Sequence, residues 1–153
     1  MILVICFACA CGGSLTDEQR KKMIEASEQQ SIIKVTDAEI TEAAFAKGRA
    51  VMSTLTESAL ADSISRAAQV KIHWLAPGSG NALEIEKQIV DAYINSVIEG
   101  VPLQDNIQNI GTDSVLYTKP VVLVRPDSSI EVKGTWNIYM SKKQLILAMK
   151  KKY

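Results

Sequence analysis

The most regular pattern in the chain is the alternation of apolar and polar residues over positions 130–140. The apolar set is Ile130, Val132, Gly134, Trp136, Ile138 and Met140, and the intervening set is Glu131, Lys133, Thr135, Asn137 and Tyr139. A period of two is typical of a half-buried strand, with one set on each face. A second strand is predicted over 114–124, and Arg125-Pro126-Asp127-Ser128 between the two has the composition of a turn. The pattern therefore predicts a β-hairpin.

Apolar residues at helical spacing, together with start and stop signals, predict four helices. Three capping boxes mark helix starts, and they are Thr16–Gln19, Thr36–Glu39 and Ser141–Gln144. Gly100 and Pro102 mark a helix end. The predicted helices are a mostly polar one over 17–35, one long or broken helix from Asp37 to Ala68, one from Ala82 to Ile98, and a last one after Ser141.

A third strand is predicted over 70–75, and residues 101–113 are predicted as a loop. The resulting order is helix, helix, strand, helix, strand, strand, helix. That order indicates an α+β fold with a small antiparallel sheet flanked by helices, its strands at about 70–75, 114–124 and 130–140.

The first ten residues, MILVICFACA, are apolar but too few to span a bilayer as a helix. They fit the hydrophobic region of a secretory signal peptide, predicted over 1–10. Cys11 resembles the lipidated cysteine of a bacterial lipobox, with Cys9 as the alternative, and residues 11–16 then form the lipidated cysteine and a short tether. The folded domain is predicted over 36–153. A buried N-terminal strand that carries the thiols is the other interpretation of these residues.

The composition argues against several classes of function. Because 17 basic residues balance 17 acidic ones, the chain lacks the charge typical of a nucleic-acid-binding protein. All three cysteines precede residue 12 and His73 is the single histidine, which excludes a Cys-based or multi-His metal site in the body of the chain. The sequence contains neither a nucleotide-binding loop nor a nucleophile elbow. We therefore expect a non-catalytic protein without a cofactor or a metal.

The aromatic residues of the predicted strands are the candidates for a binding pocket. We expect apolar faces from Trp74, Tyr117, Trp136 and Ile138 to line such a pocket, with His73 at its rim. Packing of the same residues into an ordinary core is the alternative interpretation.

Five short segments, taken in order, resemble a bacterial family of envelope and lumenal domains with a PAS-like fold. Members of this family often carry a covalently attached haem c, and their function is largely unknown. The matching segments are Ala61-Asp62-Ser63-Ile64-Ser65-Arg66, Val70-Lys71-Ile72 entering a Pro/Asn-containing loop, a helix that ends near Ala92-Tyr93, Tyr117-Thr118-Lys119-Pro120-Val121, and Lys133-Gly134-Thr135-Trp136-Asn137-Ile138. The resemblance covers about Asp37 to Ile146 and implies a PAS-like domain.

The resemblance also implies a haem site that this chain lacks. In the family, the strand that matches Tyr117–Pro120 is followed by Cys-x-x-Cys-His, whose thiols attach the haem and whose histidine ligates the iron. Here Val121–Val124 leads directly into the turn at Pro126-Asp127. The resemblance also implies a second axial ligand, a cysteine on the preceding helical segment. This cysteine is missing here, and the region near Ser53-Thr54 stands in its place. The chain is therefore expected to be a haem-less relative.

These observations favour a non-catalytic, lipid-anchored protein of the bacterial cell envelope that faces the periplasm or the outer surface. We expect it to act as a sensor or to bind a small apolar-faced ligand. The first alternative is a structural or interaction lipoprotein that docks a partner protein of the envelope. The second alternative is a degenerate electron-transfer protein, which a Soret band in purified material would reveal.

Overall fold

The computed structural model of the chain describes residues 16–32, 35–55 and 60–150. The chain divides into two compact units, Met1–Lys34 and Val35–Tyr153. The first unit contains α1 (Asp17–Ile32), a polar helix on which Met23 and Ile24 are exposed. None of the helices in the described ranges is both long enough and apolar enough to cross a membrane.

The second unit has the predicted α+β composition and contains the remaining elements. They are α2 (Asp37–Thr54), α3 (Ala61–Ala68), β1 (Lys71–Leu75), α4 (Glu84–Ile98), β2 (Asn106–Ile110), β3 (Ser114–Val124), β4 (Ile130–Ser141) and α5 (Lys142–Lys150). All strand pairs are antiparallel, and their order in the sheet is β1-β4-β3-β2.

Two of the three predicted capping boxes form. The backbone N–H of Gln19 donates to Thr16 Oγ1 and that of Thr16 donates to Gln19 Oε1, and Thr36 and Glu39 exchange the same pair of bonds. The third box correctly predicts the start of a helix, since α5 begins at Lys142 directly after Ser141, but no hydrogen bond joins Ser141 and Gln144 among the described residues. The N–H of Lys142, the first residue of α5, donates to the carbonyl of Asp113 at 2.9 Å.

The sequence predicted one long or broken helix from Asp37 to Ala68, and the structure shows that it is broken into α2 and α3. Leu55 leaves helical geometry with φ −85° and ψ 80°, and the described chain resumes at Leu60. The hydroxyls of Ser53 and Thr54 donate to the carbonyls of Ala50 and Val51, each at 2.8 Å. Such local bonds give the last turn an alternative to continuing the helix, so α2 ends at this point.

The prediction of a loop over 101–113 is wrong in part, because this region contains β2. β2 pairs with β3 from Asn106↔Thr118 to Ile110↔Ser114 and forms one edge of the sheet. Its sequence, NIQNI, is rich in residues that are rare in strands and has no regular alternation. Pairing with β3 overrides this weak local preference.

The predicted hairpin is confirmed, but its alternation is not continuous. The register shifts between Val121 and Val122, so that Gly134 pairs with Val121, Val132 pairs with Val122, and Lys133 is bulged out. A one-residue bulge moves the residues beyond it to the opposite faces. Val132 therefore packs with Ile89 of α4. The sequence predicted that Val132 shares a face with Ile138, and this prediction is wrong.

Helices cover both faces of the sheet, so the prediction of a half-buried β4 is wrong for residues 134–140. One face packs against α2 and α5 in a core that includes Ala44, Tyr117, Ile138 and Leu145. α4 covers the other face through residues such as Ile89 and Tyr93. The residues that alternate with the apolar set are therefore enclosed too. Thr135 is 0% exposed, Asn137 is 1% exposed, and Tyr139 is half-buried.

Candidate functional site

Polar side chains lie enclosed between α4 and the sheet. His73 of β1 pairs with Asn137 of β4, which pairs in turn with Thr118 of β3, so the three lie in one row across the strands. Thr135 lies two residues from Asn137 on the same face of β4, and Glu86 reaches the row from α4. We call these five residues the buried polar cluster.

α4 contributes a carboxylate to the cluster because Glu86 lies on the same side of the helix as its apolar residues. Glu86 is only 3% exposed. One oxygen, Oε2, accepts the backbone N–H of Leu83 at 2.9 Å and so helps to start the helix. The other oxygen, Oε1, lies 2.8 Å from Nε2 of His73. The side chain thus ties the beginning of α4 to β1.

Two tyrosines border the cluster. The Tyr93 hydroxyl donates to the backbone carbonyl of Thr118 at 3.3 Å, and burial raises the pKa of Tyr93 well above its ordinary value. The ring of Tyr139 stacks on His73 with 5.7 Å between centroids and 18° between planes. Burial, followed by the nearby carboxylate of Glu86, raises the pKa of Tyr139 in the same direction. Both phenols therefore remain neutral donors over the physiological pH range.

Several atoms of the cluster are buried without a hydrogen-bond partner among the described residues. They are Nδ1 of His73, Oε1 of Glu86, the hydroxyl oxygens of Thr118 and Thr135, and both the nitrogen and the oxygen of the Asn137 amide. Oε1 of Glu86 lies near His73 Nε2 but without the alignment of a hydrogen bond. A buried polar group that lacks a partner costs about 1–3 kcal/mol. Such groups are rare in folded proteins, and several in one place point to a role beyond packing.

A groove of about 280 Å³ opens beside the cluster. Its lining residues are Leu75, Ala76, Gly78, Ser79, Gly80, Ala82, Lys87, Val90 and Asp91. Leu75 pairs directly with Thr135, and Val90 follows Glu86 by one turn on the buried side of α4. The groove therefore lies next to the buried polar cluster at the end of β1, although none of the five cluster residues lines it, and the segment that connects β1 to α4 forms its outer wall.

The five residues predicted to line an apolar pocket do not lie around one cavity. Tyr117 and Ile138 are fully buried and belong to the core beneath α2. Trp74 and Trp136 face the same side of the sheet as Ile138, whereas His73 faces α4. The sheet itself separates His73 from the other four.

The two tryptophans form an aromatic pair at the end of β1. Their ring centroids are 5.2 Å apart with 66° between the planes, and Trp74 is 39% exposed. The Trp74 ring also lies over Gly134, where a Cβ would come within 2.5 Å of its Cζ2 atom. This close approach explains why glycine occupies the position next to the bulge.

The residues of the cluster do not fit a haem. An axial histidine must direct one ring nitrogen at the iron. In His73, Nε2 faces Glu86 and Nδ1 is buried. In addition, no three His, Cys, Asp or Glu side chains among the described residues lie close enough to hold a metal ion. The predicted lipidation sites, Cys11 and Cys9, lie outside the described residues.

Sequence reasoning missed Glu86, Thr118, Thr135 and Asn137 as site residues. One signal was present in α4, which carries apolar residues along one side and therefore needs a sheet face to cover. In β1 and β4, apolar and polar side chains alternate between the two faces of the sheet. The other helices cover the apolar face, so the face left for α4 is the one that carries the polar side chains. An α4 that covers this face lies over Asn137 and Thr135.

No protein-family model, curated protein or solved structure matches the chain.

Proposed function

We propose that this protein is a non-catalytic, lipid-anchored protein of the bacterial cell envelope whose PAS-like domain binds a small ligand between α4 and the sheet. The observation that carries the proposal is the buried polar cluster with its unpartnered atoms. Anchoring rests on Cys11, with Cys9 as the alternative, and the domain then faces the periplasm or the outer surface. The PAS-like assignment is supported by the antiparallel sheet flanked by helices, as the family resemblance implies.

The cluster favours ligand binding because the arrangement in which α4 packs on the sheet, which we call the closed form, leaves buried polar atoms without partners and so has a raised free energy. Each unpartnered atom of Asn137, Thr118 and Thr135 raises the free energy of the closed form. A ligand that brings donors and acceptors to these atoms recovers that free energy, so it favours a form in which α4 has moved away from β4. The groove at Leu75 lies beside the cluster, on the side from which such a ligand would approach.

The same arrangement supports a sensing role. α4 is fixed at its start through Glu86, which contacts both Leu83 and His73. A ligand that competes for His73 or Glu86 changes the position of the helix, and the far side of α4 is exposed to a partner. The ligand-dependent displacement of one helix is a two-state element of the kind that sensors use.

Native mass spectrometry of the gently purified full chain tests the proposal. We expect a ligand-bound mass that is lost in Asn137→Leu and retained in Asn95→Leu, which makes the same change on the exposed side of α4. Hydrogen exchange should show faster exchange of the α4 amides in the ligand-bound form, because the displaced helix loses packing against the sheet. A bare polypeptide mass, together with no change in α4 exchange on adding metabolite extracts, would contradict the proposal.

The alternative of an interaction lipoprotein also has an observation in its favour. The outer part of the β3–β4 hairpin exposes several large apolar side chains, and such patches often mark contact surfaces. This surface is distinct from the cluster beneath α4, so ligand binding and protein contact do not exclude each other.

A further inference from the structure

Asn137 holds a donor and an acceptor side by side in the buried polar cluster. Its side chain is 1% exposed, and neither the nitrogen nor the oxygen of its amide has a hydrogen-bond partner among the described residues. A side-chain amide carries its N–H donors and its carbonyl acceptor in one plane. Asn137 therefore offers a planar edge on which the donor and the acceptor are both free to pair with a ligand.

The group that complements this edge is another planar amide. An amide also carries a donor next to an acceptor, so it can form two parallel hydrogen bonds with Asn137, in the way that asparagine pairs with the edge of an adenine base. A carboxylate offers only acceptors and an amidinium offers only donors, so each leaves one atom of Asn137 facing a group of its own kind. Because an unpaired buried polar group is costly, the amide is preferred to both.

The charges near Asn137 also favour an uncharged ligand. Glu86, which is 3% exposed, places a carboxylate in the same cluster and so disfavours an anion. It cannot offer two free oxygens to an amidinium, because one already accepts a backbone N–H at the start of α4 and the other lies 2.8 Å from Nε2 of His73. In the groove beside the cluster, Lys87 and Asp91 carry opposite charges one turn apart. The groove therefore favours neither sign of charge.

The strands set the size of the ligand. Leu75, which lines the groove, pairs with Thr135, and Asn137 lies two residues further along β4 on the same face. Two residues of an antiparallel strand span about 7 Å. A single ring that bears an amide covers this distance, and the ring then meets the apolar side chains of Leu75 and Val90 in the groove.

We propose that the ligand of the buried polar cluster is an uncharged molecule with a planar amide carried by a single ring, and that the amide pairs edge to edge with Asn137. This inference rests on the proposed function, since it assigns the chemical class of the ligand that displaces α4. The hydroxyls of Thr118 and Thr135 can each donate or accept, so they are available to the second N–H and the second lone pair of the amide.

Three probes of equal size test the class of ligand, since benzamide, benzoate and benzamidine carry an amide, a carboxylate and an amidinium on the same ring. NMR titration of the isotope-labelled full chain in detergent measures each Kd, and the side-chain NH₂ signals of Asn137 report contact with the probe. We expect benzamide to bind about tenfold more tightly than either of the others, or better, because each of those leaves an atom of Asn137 unpaired. Benzoate or benzamidine that binds as tightly as benzamide would overturn the proposed class.

Asn137→Asp tests whether this residue sets the preference. Aspartate presents two acceptors, so benzamidine should bind this variant more tightly than benzamide, which reverses the order in the unaltered chain. Asn95→Asp is the matched control, because it makes the same change on the exposed side of α4 and should keep the original order. An unchanged order in Asn137→Asp would overturn the pairing with Asn137. If this variant does not fold, the NH₂ signals of Asn137 in the unaltered chain decide, since benzamide must shift them.

The failure of this inference can be told apart from the failure of the proposed function. If a metabolite extract gives a ligand-bound mass while benzamide does not bind, the class of ligand is wrong and the binding function stands. If neither the extract nor any of the three probes binds, both are wrong.

Discussion

Gly48 of α2 lies directly against the aromatic ring of Tyr117 on β3. A Cβ at position 48 would come within 2.5 Å of Cγ of that ring, which is far inside van der Waals contact. The ring cannot move aside, since Tyr117 is fully buried and its hydroxyl donates to Asp105 at 3.0 Å. The absence of a side chain at Gly48 thus sets the distance between α2 and the sheet.

Gly48→Ala is therefore expected to destabilise the protein. Alanine favours a helix by about 1 kcal/mol over glycine, but overpacking against a fixed ring costs about 1–3 kcal/mol, so the clash outweighs the helical preference. Urea unfolding measures the loss. Gly80→Ala is the control, because no atom lies within 4 Å of a Cβ at that position and its stability should barely change. Equal stability of the two variants would contradict the argument.

The sequence predicted β3 and β4 closely because their signals are local. Their predicted limits, 114–124 and 130–140, differ from the observed ones by at most one residue, since the turn at Pro126 separates two strongly apolar runs. The end of α4 was equally clear from Gly100. Residues that interact mainly with their sequence neighbours therefore reveal their structure.

The candidate site could not be predicted in the same way, because it depends on which face α4 covers. Asn137 and Thr135 have the spacing of solvent-exposed strand residues, and only the position of Glu86 and Tyr93 above them makes them buried. The bulge at Lys133 had a similar effect, since one extra residue moved Val132 to the other face. β2 was missed because its pairing with β3 outweighs its own polar sequence.

Thr135→Val tests whether the cluster is unpartnered in solution. Valine has nearly the same shape as threonine and removes a buried hydroxyl that has no partner, so the free energy of unfolding should rise by about 1 kcal/mol. In contrast, Thr36→Val removes the cap of α2 and should lower it by about 0.5–2 kcal/mol. Chemical denaturation compares the two. A destabilised Thr135→Val protein would show that the hydroxyl is hydrogen-bonded.

Labelling with radioactive palmitate tests the predicted lipid anchor. If Cys11 is the lipidated residue, Cys11→Ala should reduce labelling to background and release the protein from the membrane fraction. Cys9→Ala should leave both unchanged, and it serves as the matched control because it alters a neighbouring cysteine in the same way. The opposite outcome would assign the anchor to Cys9. Labelling that survives in both variants would contradict the lipobox prediction.

Asp105 joins α2 to the sheet through two partners. Arg49 donates to its carboxylate from Nε at 2.7 Å and from Nη2 at 3.0 Å, and the hydroxyl of Tyr117 donates to the same group. The hydrogen bond from Arg49, opposed in part by burial, lowers the pKa of Asp105 below its ordinary value. The carboxylate therefore stabilises the fold more when it is ionised than when it is protonated.

The stability of the protein should depend on this group in a defined pH range. Because the folded pKa is depressed, the contribution of Asp105 is complete above its unfolded pKa of about 3.9 and is lost as the pH falls through the folded pKa. Asp105→Asn should lower the free energy of unfolding by about 1–2 kcal/mol at neutral pH, since Arg49 is largely exposed. The difference from the unaltered protein should shrink in acid, which urea unfolding over a pH series measures.

Asp91→Asn, at an exposed position on α4, controls for the loss of one negative charge. A difference that stays constant down to the lowest pH would show that the two proteins differ by packing and not by the charge of Asp105.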